Sequence, residues 1–230
     1  MKQISDIEWI SNDETIRFLN MDCREFMVNC KNGEFDLNLS DPPYGIGEDG
    51  GKNKSRSKLA HSKKYKQYSS GDKKPMDKFF FDEIIRTSKN QIIWGANHFI
   101  SKMPYDSHCW IVWDKDNGDN DFADCELAWT SFKSSVRIVK YRWSGMLQGN
   151  MKNKQKRIHP NEKPISVYRW VLSKYTKPTD VILDCFGGSM SSAIACHMEK
   201  RRLIIIELDN NYFKEAIERF SIYEQQLTLF

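Results

Sequence analysis

No apolar run in the chain approaches the ~18 residues of a membrane-spanning helix, so no transmembrane segment is expected. The opening Met1-Lys-Gln-Ile-Ser-Asp6 has no apolar signal stretch, which predicts a cytoplasmic protein. Six cysteines stand at 23, 30, 109, 125, 185 and 196 and form no Cys-x-x-Cys pair. That spacing suits neither a zinc site nor a disulfide framework, and most of them are expected as small buried apolar residues. Internal repeats and low-complexity tracts are also missing.

What remains is a chain of 230 residues, 40% hydrophobic and 13% aromatic, enough to build one sizeable core. It is expected to be a single domain over 1–230. The net charge of +4 hints only weakly at a polyanionic partner. Its distribution says more. Between Lys52 and Lys74 lie Lys52, Lys54, Arg56, Lys58, Lys63, Lys64, Lys66, Lys73 and Lys74 against one acid, Asp72, within a long polar segment over 45–75. A second basic run, Lys152, Lys154, Lys156 and Arg157, falls in a loop over 144–158. A charge run alone is usually a solvated loop; two of them, one beside a candidate base-gripping motif, point to phosphate contact.

Apolar runs and helical periodicities alternate. Strands are expected at Thr15–Leu19, Phe35–Leu39, Gln91–Trp94, Cys109–Trp113, Val181–Asp184 and Leu203–Glu207. Glu126–Ser131 and Val136–Trp143 are expected as a late strand pair. Helices are expected at Arg24–Cys30, from Pro75 to Thr87 with Phe79, Phe80, Ile84 and Ile85 inward, at Pro164–Tyr175, between the last two strands, and from a capping Asn210 to Tyr223. The pattern predicts an α/β fold: a mostly parallel twisted sheet with an antiparallel strand pair and helices on both faces. Ligands of such sheets sit at the carboxyl ends of the strands.

One strand ends in Asp41-Pro42-Pro43-Tyr44-Gly45. The Asp41 carboxylate and the Pro42 carbonyl can each accept a hydrogen bond from an exocyclic amine. Tyr44 offers a stacking face, and Pro42 and Pro43 stiffen the loop because their φ is fixed. Read alone, the tetrapeptide is equally an ordinary turn.

A second strand, Val181–Asp184, runs into Cys185-Phe186-Gly187-Gly188-Ser189, and the following strand ends at Glu207. A Gly-rich turn permits close backbone approach, and an acid some 20 residues on can bind ribose hydroxyls. The order of glycines is not Gly-x-Gly-x-x-Gly, and no P-loop lysine follows.

Together with His159-Pro-Asn-Glu-Lys163-Pro164, these segments resemble the S-adenosylmethionine-dependent DNA amino-methyltransferases, in the β-group order with the catalytic motif before the cofactor motif. The resemblance covers nearly the whole chain, and the Trp113-Asp-Lys115 and Glu126-Leu-Ala-Trp129 segments look like phage or prophage members. It implies a Rossmann-like methyltransferase fold, S-adenosylmethionine as cofactor, double-stranded DNA as partner, restriction-modification chemistry in a bacterial or phage-infected cell, and a monomer or homodimer. It implies that Asp41, Pro42, Pro43 and Tyr44 hold the target base. Asp22 and Cys23 would face the cofactor adenine. Asp184, Phe186, Gly188 and Ser189 would line its methionine and sulfonium part, with Lys163 and Pro164 beside the methionine. Glu207 would bind the ribose. The chain departs from the family pattern at Cys185 (usually Pro), Met190 (usually Gly) and Ser191-Ser192 (usually Thr). Met190 predicts reduced cofactor affinity.

The amine of a base is a poor nucleophile because its lone pair is conjugated with the ring. Acceptors at Asp41 and Pro42 favour a pyramidal nitrogen. Such a pocket needs a flipped base and no metal. A Pro-Cys dipeptide, the thiolate site of ring-carbon methylation, is absent. Within the family Asp at position 41 goes more often with adenine N6 than with cytosine N4. The rival expectations are cytosine N4, an RNA or protein amide substrate, and a non-enzymatic DNA-binding protein with a decayed methyltransferase fold.

Overall fold

The computed structural model describes residues 1–47, 74–118, 123–144, 147–152, 154–155 and 162–226. Most of the first basic segment, and Lys156, Arg157 and His159, lie outside the described residues.

The chain opens with two short strands, β1 (Lys2–Gln3) and β2 (Glu8–Ile10), then β3 (Ile16–Leu19), helix α1 (Cys23–Met27) and β4 (Phe35–Ser40). Helix α2 (Lys78–Thr87) leads into β5 (Ser88–Trp94), β6 (Trp110–Asp114), β7 (Cys125–Thr130) and β8 (Arg137–Lys140). A small hairpin follows, β9 (Trp143–Ser144) with β10 (Leu147–Gln148). The chain then runs through α3 (Ile165–Tyr175), β11 (Val181–Asp184), α4 (Ser191–Met198), β12 (Arg202–Ile206) and α5 (Asn210–Gln226).

Ten strands form one sheet in the order β1-β2-β3-β12-β11-β4-β5-β7-β6-β8. Its centre, β3-β12-β11-β4-β5, is parallel throughout. Central strands must be apolar on both sides, and each supplies alternate residues to two cores. Phe18, Leu37, Leu39, Ile92, Trp94, Ile182, Leu203 and Ile205 pack with α3, α4 and α5. Leu19, Ile93, Leu183 and Ile206 pack with α1 and α2 on the other face.

Four local expectations are corrected. The segments at 125–130 and 137–140 are strands but do not pair with each other. β7 lies antiparallel between β5 and β6, and β8 joins β6 in parallel. Pro75 does not start α2; Asp77 caps it, accepting from Phe80 N at 3.0 Å, because a carboxylate satisfies a free first-turn amide. The buried face of α2 is Phe80, Phe81 and Ile84, while Phe79 is exposed. Asp209, not Asn210, caps α5, accepting from the amides of Asn211 and Tyr212 at 2.9 and 3.2 Å. The antiparallel β1 and β2 have no apolar run to announce them.

Candidate active site

Asp41 follows the end of β4, Asp184 ends β11, Glu207 follows β12 and Asp22 lies just past β3, so four carboxylates line the carboxyl edge of adjacent parallel strands.

At the β4 end the Tyr44 hydroxyl donates to Asp41 Oδ1 at 2.7 Å. Lys163 Nζ donates to Asp41 Oδ2 at 2.5 Å and to the Tyr44 oxygen at 3.0 Å. The same ammonium lies 3.0 Å from Glu126, which also pairs with Lys115 at 2.7 Å. It sits 5.2 Å from the centre of the Trp94 ring and 5.5 Å from that of Tyr44. Burial raises the Asp41 pKa, with Lys163 opposing the shift. Burial also acts against the Lys163 charge, but Asp41 and Glu126 outweigh it and raise the pKa. Glu126, desolvated yet flanked by Lys163 and Lys115, is drawn down to about 2. Lys163 thus reaches the Asp-Pro-Pro-Tyr corner. Pro164 caps the start of α3 and thereby sets the approach of Lys163.

Gly95, just after β5, fixes where Tyr44 stands. Its φ is +68°, and a Cβ there would lie 2.0 Å from the Tyr44 ring. The other ring partner is His98, exposed and stacked on Tyr44 at 4.9 Å with 15° between planes. Pro42 is buried behind this corner and Pro43 is half-buried.

The second half of the site is built on β11 and β12. Asp184 accepts from Phe186 N at 3.0 Å and from the Ser192 hydroxyl at 2.5 Å. Burial pushes its carboxyl up to about 7 against those bonds. Glu207 accepts from Gly188 N at 2.7 Å and Asp209 N at 2.8 Å, which aims it across the turn. Phe186 packs edge-on against Phe80 at 5.2 Å. Asp22 caps α1, and the Arg24 guanidinium beside it lowers its pKa. Cys23 is buried next to this edge. The replacements have local reasons. Cys185 N donates to Ser40 Oγ at 3.3 Å, tying β11 to β4 by a bond no proline could make. Met190 sits at φ +57°, and its fully buried side chain lies against Gly187, within the core.

A model of the N6/N4 methyltransferase family, described as DNA methylase, matches residues 65–218, about two thirds of the chain. The chain belongs to this family. Among curated relatives, the type II methyltransferase M2.MboI of Moraxella bovis is 23% identical over 91% of this chain and 89% of its own length. The putative methylase YubD of Escherichia coli (strain K12) is 32% identical over 31% of each chain. Among solved structures, the PvuII DNA methyltransferase (cytosine-N4-specific) matches at TM-score 0.60 with 12% identity, covering 95% of this chain and 93% of that one. The M1.HpyAVI–SAM complex matches at 0.53 with 21% identity, covering 89% and 99%. The fold of this DNA methylase is the Rossmann-like methyltransferase fold.

Three site-forming residues of the methylase escaped the sequence reading of roles. Glu126 opens an expected strand, and both it and Lys115 stand in segments noted for their likeness to phage members, with no site role given to either. Arg219, in α5, donates to Ser189 O at 2.6 Å, Ser191 Oγ at 3.2 Å and Glu162 Oε1 at 2.7 Å, pinning the Gly-rich turn to the loop that carries Lys163. The available signal was its place beside Phe220 and three residues past Ala216, inside an apolar stripe. Among the described residues no cluster of His, Cys, Asp and Glu could hold a metal ion, and no helix is long and apolar enough to cross a membrane.

Proposed function

We propose that this methylase transfers a methyl group from S-adenosylmethionine to the N6 amine of a flipped adenine in double-stranded DNA. The observation that carries this is the meeting of an amine-accepting corner, Asp41 with Tyr44, and a carboxylate-lined turn, Asp184 to Glu207, on neighbouring strand ends.

The donor set of that turn fits the cofactor. Glu207 is held by two amides, and its remaining lone pairs can take two ribose hydroxyls. Gly188, at φ +49°, keeps the backbone open to close approach. Asp184, Phe186 and Ser189 line the methionine side, and Asp22 and Cys23 the adenine side. When bound, the cofactor supplies an electrophilic methyl group. Asp41 and the Pro42 carbonyl accept the two amine hydrogens and orient the nitrogen lone pair, and Tyr44 stacks on the base. Positioning of this kind needs no covalent nucleophile. Asp41 is also the nearest acceptor for the proton the amine sheds. The single domain over 1–230 and its basic segments at 45–75 and 144–158 complete the reading as scaffold and sequence-recognising loops.

The test is transfer of labelled methyl to unmethylated duplex DNA, followed by nucleoside analysis. Label is expected in N6-methyladenine. Label in N4-methylcytosine would move the assignment to cytosine. Asp41→Ala should abolish transfer while keeping cofactor binding; wild-type activity in that variant would overturn the reading.

A further inference from the structure

Asp41 is already engaged before any base arrives. One oxygen takes the Tyr44 hydroxyl and the other takes the Lys163 ammonium, itself an N–H donor of the kind a base amine presents. Lys163 is 3% exposed, so it cannot simply retreat into water. It has a second anion within reach, Glu126 at 3.0 Å, and Glu126 is held in place by Lys115 from the neighbouring strand β6–β7 turn, where Glu126 stands opposite Trp113 in the ladder. Glu126 Oε2 has no geometrically sound hydrogen bond among the described residues.

We infer that Lys163 is a resident stand-in for the target amine, and that Glu126 is the positioning residue that takes Lys163 over when the amine claims Asp41. This deepens the proposed base-methylating role and rests on it. Positive charge grows on the amine nitrogen as its bond to the methyl carbon forms. An ammonium left on Asp41 would oppose that charge, and one drawn to Glu126 opposes it less. Removing Lys163 altogether would instead leave Asp41 and Glu126 buried with no cation between them. The groups facing Asp41 are Tyr44, Lys163 and Glu126, with Tyr168 and Asp184 further off.

The test compares wild type, Glu126→Gln and Glu126→Asp in single-turnover methylation of unmethylated duplex DNA across pH, with cofactor binding measured alongside. Glu126→Gln should raise KM for DNA and lower the plateau rate at least tenfold, with cofactor affinity unchanged. It should also move the acidic limb of the rate profile to lower pH, because the negative charge that raises the Asp41 pKa is gone. General loosening of the site would admit water to Asp41 and lower the limb as well, but Glu126→Asp, which shortens the side chain and keeps the charge, would then fail to restore it. Glu126→Asp keeps the charge and should restore the limb and part of the rate. If Glu126→Gln fails to fold, Glu126→Asp still decides, since a wild-type limb with a raised KM is expected of it. An active wild type beside variants with unchanged KM and limb would overturn the inference alone. A wild type that methylates no DNA would overturn the proposed function first.

Discussion

Arg219 in α5 and Glu162 in the loop before α3 form an ion pair of 2.7 Å, with side chains 7% and 0% exposed. The same guanidinium holds Ser189 and Ser191. Breaking a buried pair on one side leaves an uncompensated charge, at a cost of about 3–5 kcal/mol. Arg219→Met should therefore lose stability of about that size in denaturant unfolding and weaken cofactor binding. The double variant with Glu162→Gln should recover much of the stability. A single variant as stable as wild type would show that the pair holds nothing together.

Gly95→Ala is expected to strike the base-gripping corner and leave the cofactor turn alone. The added Cβ would lie 2.0 Å from the Tyr44 ring at a backbone φ of +68°. The backbone conformation alone costs a non-glycine residue roughly 1–2 kcal/mol, and Tyr44 must move as well. Methyl transfer should fall by more than tenfold, with cofactor affinity within twofold, by parallel kinetic and binding titrations.

Met190→Gly puts two effects in opposition. Glycine relieves the left-handed conformation, worth about 1 kcal/mol. It also deletes a fully buried side chain, and truncating a core methionine costs about 2–5 kcal/mol. Burial wins, so thermal unfolding should show a net loss of roughly 1–4 kcal/mol. Because Met190 packs against Gly187 within the core, cofactor affinity should change little. A large gain in affinity would restore the expectation that Met190 weakens binding.

Asp184 sets a pH dependence. Burial raises its carboxyl to about 7 in the folded protein from an ordinary 3.8. A raised folded-state pKa means the folded protein binds the extra proton. The contribution to stability is therefore complete below about pH 4 and is lost as pH climbs through 7. In cofactor-free protein, the unfolding temperature of wild type should decline relative to Asp184→Asn between pH 4 and 8. Parallel curves would exclude the shift.

Much of this was legible in the sequence for one reason: apolar strands of a parallel sheet end where ligands bind. Phe35 to Leu39 and Val181 to Asp184 announced both strands and the motifs at their ends. Resemblance supplied the rest of the site's outline. The contact of Lys163 with Asp41 could not be read from the sequence, because the two lie 122 residues apart and only the folded sheet joins them. Glu126 and Lys115 looked like ordinary strand charges; their meaning comes from the insertion of β7 between β5 and β6, which no periodicity reveals. Asp77 and Asp209 displaced Pro75 and Asn210 as helix starters because a carboxylate one residue earlier, or two later, reached the free amides better.

The Gly-rich turn and the base-gripping corner differ in how far apart along the chain their parts lie. Glu207 meets Gly188 across 19 residues and Asp184 meets Ser192 across 8, whereas Asp41 must find Lys163 across 122. Long loops close late, since their entropy is lost before the contact rewards it. A refolding chain should thus set the Gly-rich turn and its Glu207 latch first, while the adenine side at Asp22 and the base-gripping corner at Asp41 both wait until distant parts of the chain have joined one sheet.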